Sequence, residues 1–263
     1  MSEGGQRLYW LGNVAKTRIV AELLGRHPGP VTVSVFDYGC GDGGDWPRIL
    51  ADHPHLRLVG FEPGADSYRT ACQRLAGWNA EILTGDAMAT LQLQADVIVS
   101  FSVFEHVVEP VAFLRHAKRV LAPDGIFYLN YDDGHFRNVL DLTDASTWLP
   151  AIRARLRTLA SPFLAMLGHQ AGYQCRVEAA VADRLVAECG FAVQRVDYHN
   201  LSSLKELAKA MPRPLREDYS RWWLETEMEL NRRFAAAQDE PRYGDSSNLW
   251  RQMVSRTLCL RHR

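Results

Sequence analysis

Glycines and a carboxylate dominate the stretch VFDYGCGDGGDW, which runs from Val35 to Trp46. Apolar residues typical of a buried strand lead into it, and glycine then returns at Gly39, Gly41 and Gly43. Because glycine has no side chain, its backbone can turn tightly and approach a ligand closely. Open parallel sheets bind ligands beyond the carboxyl ends of their strands. The stretch therefore predicts a ligand-binding loop directly after a strand.

Two classes of ligand compete for this loop. Gly39, Gly41 and Gly44 have the GxGxxG spacing of dinucleotide sites, which is a weak signal by itself. Asp37 lies two residues before the first glycine, where its carboxylate would repel a pyrophosphate and attract an amine. S-adenosylmethionine carries such an amine together with a positively charged sulfonium. The order D-x-G-x-G-x-G therefore favours S-adenosylmethionine over a dinucleotide.

Further candidate residues follow at the ends of the next three predicted strands. Glu62 ends the second strand, where a carboxylate can accept both ribose hydroxyls, although NAD sites place an acid similarly. Asp86, in TGDAM after the third strand, is placed to accept the adenine amino group. Phe101 and Ser102 end the fourth strand, beside the methionine part of the ligand. Elements at four successive strand ends are a more specific signal than one glycine loop.

Strand and helix alternate five times up to Tyr131, which predicts an α/β fold with a parallel sheet and helices on both faces. The predicted strands of this half are Val31–Tyr38, Leu56–Glu62, Ala80–Leu83, Ala95–Ser102 and Ile126–Tyr131. Its predicted helices are residues 6–25, Trp46–Asp52, a helix capped by Asp66 that runs to Leu75, and Pro110–Leu121. The later predicted elements are helices at Val177–Glu188, Ser203–Met211 and Glu217–Ala236 and strands at Phe191–Tyr198 and Trp250–Leu260.

Five segments together resemble a known family: FDYGCGDG, VGFEPG, TGDAM, ADVIVSFSVFEHV and RVLAPDGIFYL. From about Tyr9 to Tyr198 the chain resembles the class I S-adenosylmethionine-dependent methyltransferases, and within them the small-molecule enzymes of the ubiquinone-pathway type. The resemblance implies a Rossmann-like, seven-stranded sheet of order 3-2-1-4-5-7-6, with Trp250–Leu260 as its antiparallel seventh strand. It also implies a cofactor site made of Asp37, Gly39, Gly41, Gly43, Glu62, Pro63, Asp86, Ala87, Phe101 and Ser102.

Two histidines are candidates for a general base, which is needed only if the acceptor is a protonated hydroxyl or amine. His106 follows the fourth predicted strand, and His135 follows the fifth in YDDGHFRN. The ubiquinone-pathway relatives carry E-x-x-E-H here, which holds a divalent metal in some of them, whereas this chain has Ser102 in place of the first acid. We therefore predict no metal site, and interpret Glu105 and His106 as residues that fix the loop over the cofactor. They would be metal ligands only if the reaction proves metal-dependent.

Length and composition set the wider organisation. The 263 residues, 47% of them hydrophobic, predict one domain, with residues 132–175 and 200–247 as insertions that cap the acceptor site. A net charge of -1 suggests neither a nucleic-acid nor a membrane partner. Five scattered cysteines without a CxxC pair, and no apolar run of transmembrane length, predict a cytoplasmic protein. A homodimer is left open.

The sequence thus predicts methyl transfer to a small molecule of secondary metabolism, at a hydroxyl or an amine, although oxygen, nitrogen and carbon acceptors share the fold. A nucleic-acid or protein methyltransferase is an alternative, but Ser100–Val103 stands where a D-P-P-Y loop for exocyclic amines would be. A nucleotide-dependent oxidoreductase is disfavoured by Asp37 and by the absence of a Y-x-x-x-K pair. A non-catalytic cofactor-binding scaffold is disfavoured because Asp37, Glu62 and Asp86 are all intact.

Overall fold

The computed structural model describes residues 31–44, 46–132, 179–201, 210–237 and 253–263, together with the single positions 156 and 207. The predicted helix at 6–25, the candidate base His135 and nearly all of the predicted cap segment 132–175 lie outside the described residues. The same holds for most of the predicted helix Ser203–Met211. Within these residues the structure has seven strands and six α-helices.

Seven strands form one mixed sheet of order β3-β2-β1-β4-β5-β7-β6, as predicted. The first five strands are parallel, and β7 is antiparallel to both β5 and β6. The strands are β1 (Val33–Tyr38), β2 (Leu56–Phe61), β3 (Ala80–Leu83), β4 (Ala95–Phe101), β5 (Leu121–Asp132), β6 (Phe191–Leu201) and β7 (Met253–His262). Because β1 to β4 run in the same direction, their carboxyl ends meet at one edge of the sheet.

Helices connect and cover the strands. They are α1 (Trp46–Asp52), α2 (Ala65–Arg74), α3 (Ala87–Thr90), α4 (Pro110–Val120), α5 (Ala179–Glu188) and α6 (Arg216–Ala237). A 3₁₀ turn, Phe104–His106, follows β4, and another, Arg213–Leu215, precedes α6. The short helix α3 was not predicted. Within the described residues, no helix has both the length and the apolar character needed to cross a membrane.

Both faces of the sheet are buried, as expected for a parallel sheet between two helical layers. On one face, Phe36, Ile98 and Phe127 belong to a cluster that includes Leu114 of α4 and Val186 of α5. On the other face, Val35, Leu58, Val97 and Tyr128 pack in a cluster with Trp46 and Ile49 of α1. Each fully buried side chain of this kind contributes about 1.5–3 kcal/mol relative to exposure. The core therefore holds the strand ends, and the loops that follow them, in fixed relative positions.

The structure corrects the predicted start of β5. β5 begins at Leu121 rather than Ile126, because Leu121 already pairs with Ala95 before a register shift brings Ile126 opposite Val97. The predicted turn Pro123-Asp124-Gly125 is thus an irregularity within the strand. At Gly125 a Cβ atom would lie 3.0 Å from the Ala95 carbonyl oxygen, so the backbones approach closely there.

Asp66 was predicted to cap α2, and this is wrong. The N-cap residue is Gly64, and Asp66 lies in the first turn, where its carboxylate accepts a hydrogen bond from Arg69. An acidic residue in the first turn still interacts favourably with the positive end of the helix dipole. Asp66 therefore indicated the start of a helix correctly, but it lies two residues after the actual N-cap, Gly64.

An ion pair joins three elements near the carboxyl end of β5. Arg256 of β7 donates two hydrogen bonds to Asp183 of α5, at 2.8 and 3.1 Å, and a third to the Tyr131 hydroxyl at 2.9 Å. Burial by itself disfavours the charged guanidinium, but these partners outweigh it, and the pKa of Arg256 is raised. Arg256 therefore serves to connect β5, β7 and α5.

A buried carboxylate fixes α6 against the end of β6. Glu227 is fully buried, and it accepts hydrogen bonds from the Asn200 backbone N–H, at 3.1 Å, and from the Trp223 indole. Asn200 has a positive φ of 63°, a conformation that is uncommon outside glycine. The contact therefore stabilises a strained strand end.

We predict that Glu227→Ala lowers the free energy of unfolding by about 2 kcal/mol or more, because it leaves two buried donors unsatisfied. Glu225→Ala is the matched control, since Glu225 lies on the same helix and is exposed. Urea unfolding of both variants measures the effect. Equal midpoints for the two variants would show that Glu227 is not a structural contact of this strength.

Candidate cofactor site

The glycine loop after β1 packs directly against the loop after β4. Gly39 has a φ of +92°, and a Cβ atom there would lie only 2.3 Å from Cγ2 of Val103. At Gly41, φ is +58° and a Cβ would meet nothing within 4 Å. Gly39 is therefore required by the packing of the protein itself, whereas Gly41 faces open space. This contrast fits a loop that leaves room for a ligand above Gly41.

Backbone hydrogen bonds tie the glycine loop to the end of β2. The N–H groups of Gly39 and Cys40 both donate to the Phe61 carbonyl, at 2.9 and 3.0 Å. The Glu62 N–H in turn donates to the Leu83 carbonyl at the end of β3, at 3.0 Å. Gly43, with a φ of +76°, completes the loop. The ends of β1, β2 and β3 are thus connected by the main chain at the edge where the site was predicted.

The Glu62 carboxylate lies between two loops. Its Oε2 accepts the Gly41 N–H at 2.9 Å, and its Oε1 accepts the Gly64 N–H at 2.8 Å. Each carboxylate oxygen has two lone pairs, so these bonds still allow it to accept from ligand hydroxyls. Glu62 therefore holds the glycine loop in place and keeps lone pairs for further donors. Pro63, the next predicted site residue, is exposed beside it.

Asp37, at the end of β1, is almost fully buried, with 3% of its surface exposed. Its Oδ2 accepts a hydrogen bond of 2.6 Å from the indole Nε1 of Trp46, the first residue of α1. The neighbouring Tyr38 is also buried, and burial raises the pKa of its phenol to about 12. Tyr38 is therefore neutral at physiological pH, so it is not a candidate base.

The remaining cofactor candidates lie after β3 and β4. Asp86 is exposed at the N-cap position of α3, and Ala87 is the first residue of that helix. Phe101 is half-buried at the end of β4. Ser102 is exposed, has a positive φ of 53°, and donates its N–H to the Asn130 carbonyl of β5 at 3.1 Å. Asp86 and Ala87 thus follow β3, and Phe101 and Ser102 lie at the end of β4, on the same edge of the sheet.

Glu105 and His106 have opposite environments. Glu105 is buried, with 2% exposed, whereas His106 is exposed. Among the described residues, no three His, Cys, Asp or Glu side chains are grouped so that they could hold a metal ion. Burial of Glu105 agrees with its interpretation as a residue that fixes the loop after β4, and exposure of His106 leaves its ring accessible to a ligand.

Three residues of this site escaped the sequence reasoning. Trp46 was recognised only as a helix start, Val103 was not assigned a role, and Gly64 was not linked to Glu62. Two of these contacts, Trp46 with Asp37 and Val103 with Gly39, join different elements of the fold, whereas Gly64 contacts Glu62 two residues before it. No periodicity or motif reports such contacts. The one available signal was Trp46 itself, because a buried tryptophan usually needs a hydrogen-bond partner for its indole N–H.

The residues present fit S-adenosylmethionine. The buried Asp37 carboxylate suits a ligand ammonium, the Glu62 carboxylate suits a ribose diol, and space is open above Gly41. A family profile described as a methyltransferase domain matches residues 12–211, most of the chain. The chain belongs to this family. It is a class I S-adenosylmethionine-dependent methyltransferase by fold and by profile, and its cofactor is accordingly S-adenosylmethionine.

Curated relatives agree with this family. The methyltransferase is 28% identical over 127 residues to a trans-aconitate 2-methyltransferase of Azoarcus sp. (strain BH72), covering 46% of this chain and 49% of the relative. It is 31% identical over 102 residues to a ubiquinone biosynthesis O-methyltransferase of Parvibaculum lavamentivorans, covering 36% and 38% of the two chains. The chain thus spans half or less of the length of these relatives.

A solved structure with the same fold is a cyclopropane synthase of Mycobacterium tuberculosis. Its TM-score against the methyltransferase is 0.56, with 18% sequence identity, 94% of this chain covered and 84% of the other. At this identity the likeness concerns the fold. It supports the Rossmann-like arrangement of the sheet and helices, and open α/β sheets generally bind ligands beyond the carboxyl ends of their strands.

Proposed function

We propose that this methyltransferase transfers a methyl group from S-adenosylmethionine to a hydroxyl or an amine of a small molecule. The observation that carries the proposal is the convergence of Asp37, the glycine loop and Glu62 at neighbouring strand ends, with Glu62 bonded to Gly41 at 2.9 Å. The bound cofactor would supply an electrophilic methyl on a positively charged sulfur. The protein would then bind the cofactor and the acceptor, align them with each other, and exclude water from the site.

Each group of the site has a role in this proposal. Asp37 would attract the cofactor ammonium, Glu62 would accept the ribose hydroxyls, and Asp86 would accept the adenine amino group. Phe101 and Ser102 would line the methionine part, where the exposed Ser102 directly follows β4. Alignment of donor and acceptor accounts for up to about 7–11 kcal/mol of the barrier in well-oriented reactions.

The acceptor is proposed to lie over β4 and β5, under a cap formed by residues 132–175 and 200–247. The cofactor groups come from β1 to β4, so the transferable methyl would point toward that side of the edge. The curated relatives are named for trans-aconitate and for ubiquinone biosynthesis. Small organic acids therefore join phenols, sugars and amines among the acceptors to be tested.

Isothermal titration calorimetry tests the cofactor part of this proposal. The purified protein should bind S-adenosylmethionine and S-adenosylhomocysteine but not NAD, and Asp37→Ala should abolish binding because the ammonium loses its partner. A screen for cofactor consumption against the four classes of acceptor tests the transfer itself. Tight binding of NAD without any binding of S-adenosylmethionine would overturn the proposal.

We predict that methyl transfer does not require a divalent metal. Ser102 replaces one acid of the metal-binding pattern of the relatives, and Glu105, the next acid, is buried while His106 is exposed. Once an acceptor is known, the rate should be unchanged after treatment with EDTA and gel filtration. A large loss of rate that magnesium or zinc restores would instead identify Glu105 and His106 as ligands.

A further inference from the structure

Trp46 connects the hydrophobic core to the proposed cofactor site. Only 1% of its surface is exposed, and it packs in the cluster that contains Val35, Leu58 and Leu75. Its indole Nε1 donates to Oδ2 of Asp37 at 2.6 Å. The ring is thus held by apolar contacts from β1, β2 and the end of α2, while its polar edge meets the carboxylate at the start of the glycine loop.

We propose that Trp46 is a positioning residue of the cofactor site, which acts through Asp37. The inference rests on the proposed role of Asp37 toward the cofactor ammonium. A short Asp side chain has two rotatable bonds, and the energy of a charge-assisted hydrogen bond depends on its direction. Because the indole is immobilised by the core, its N–H fixes the orientation of the carboxylate before the ligand arrives. Preorganisation of this kind raises affinity by reducing the entropy lost on binding.

The location of the pair supports this role. Asp37 pairs in register with Gly60 of β2 and Val99 of β4, at the centre of the sheet. The next residues of the chain form the loop whose Gly41 N–H is bound by Glu62. Trp46 begins the helix that follows the same loop. The hydrogen bond from Trp46 to Asp37 therefore joins the residue that follows the loop to the strand that precedes it. It links the shape of the loop to the orientation of Asp37.

A double-mutant cycle with S-adenosylhomocysteine as the probe tests the proposal. We expect Trp46→Phe to weaken binding about tenfold, as for loss of a hydrogen bond to a charged group. In the Asp37→Asn background the same substitution should change the affinity less than twofold, because the neutral amide that Trp46 would then orient no longer attracts the ligand ammonium. To keep the volume of the indole, Trp46 is also replaced by 3-benzothienylalanine, in which sulfur takes the place of the N–H. This isostere should give the same tenfold loss.

Trp223→Phe is the matched control. Trp223 is also fully buried and also donates its indole N–H to a buried carboxylate, that of Glu227, but it lies on α6. We expect its replacement to lower the midpoint of thermal unfolding and leave the affinity for S-adenosylhomocysteine within twofold. Binding of 5′-methylthioadenosine, which has no amino-acid part, supplies the second readout: Trp46→Phe should change it less than twofold.

Three results would overturn the proposal. The first is wild-type affinity of the 3-benzothienylalanine variant. The second is an equal effect of Trp46→Phe in the unsubstituted protein and in the Asp37→Asn background, and the third is an equal loss of affinity for 5′-methylthioadenosine. Either of the last two results would mean that Trp46 contributes only to the packing of the core. If the unsubstituted protein bound no S-adenosylhomocysteine, the proposed function itself would be contradicted. Failure of the Trp46 assignment alone would instead leave the binding by the unsubstituted protein intact.

Discussion

Gly41→Val should abolish the binding of S-adenosylhomocysteine in a protein that still folds. A Cβ atom at Gly41 would meet no protein atom within 4 Å, so the added side chain does not clash with the protein. It would instead occupy the space that we assign to the ligand, directly over the N–H that Glu62 accepts. We expect affinity to fall at least ~1000-fold, which corresponds to about 4 kcal/mol of binding free energy.

Gly77→Val is the matched control for this variant. Gly77 also has a positive φ, +83° compared with +58° at Gly41, and a Cβ there would also meet nothing within 4 Å. Both substitutions thus carry the backbone strain of a left-handed residue, about 1–2 kcal/mol, but Gly77 lies in the connection between α2 and β3. Similar melting temperatures, with binding lost only at Gly41, are expected in calorimetry and thermal unfolding. Normal affinity in Gly41→Val would refute the assignment of this loop.

Loss of the general base should lower turnover by about 10²–10⁴-fold while cofactor affinity changes little. The candidates are His106, exposed after β4, and His135, which lies outside the described residues. Either could take a proton from an acceptor hydroxyl at the carboxyl edge. The alanine variants of both histidines should be assayed at saturating S-adenosylmethionine with an acceptor found in the screen. We expect the loss in one of the two.

His53→Ala serves as the control for these variants, because His53 lies between α1 and β2, at the amino end of the sheet. Its turnover should equal that of the unsubstituted protein. Turnover of all three variants should be measured at several pH values between 6 and 9, so that a base that acts in only part of this range is detected. If the alanine variants of His106 and His135 both keep full turnover throughout this range, these histidines are not bases, and alignment of donor and acceptor alone accounts for the reaction.

The order of the sheet and the positions of Asp37, the glycine loop, Glu62, Asp86 and Ser102 could be read from the sequence. Strand and helix periodicity is local, and the family resemblance carried the strand order, which the structure confirms. Sequence reasoning was less reliable at element boundaries. It placed a turn at Pro123-Asp124-Gly125, where pairing of Leu121 with Ala95 extends β5. Such pairing depends on a neighbouring strand that lies distant in the chain.

The sequence by itself thus determined which residue types stand at the strand ends, because motif spacing and hydrophobic alternation are properties of short segments. Only the tertiary structure decided what those residues contact. The bond between Trp46 and Asp37, the packing of Gly39 against Val103, and the hydrogen bond from Asn200 of β6 to Glu227 of α6 each join separate segments. They arise because the two faces of one sheet must be covered, and covering them brings side chains together that no local pattern relates.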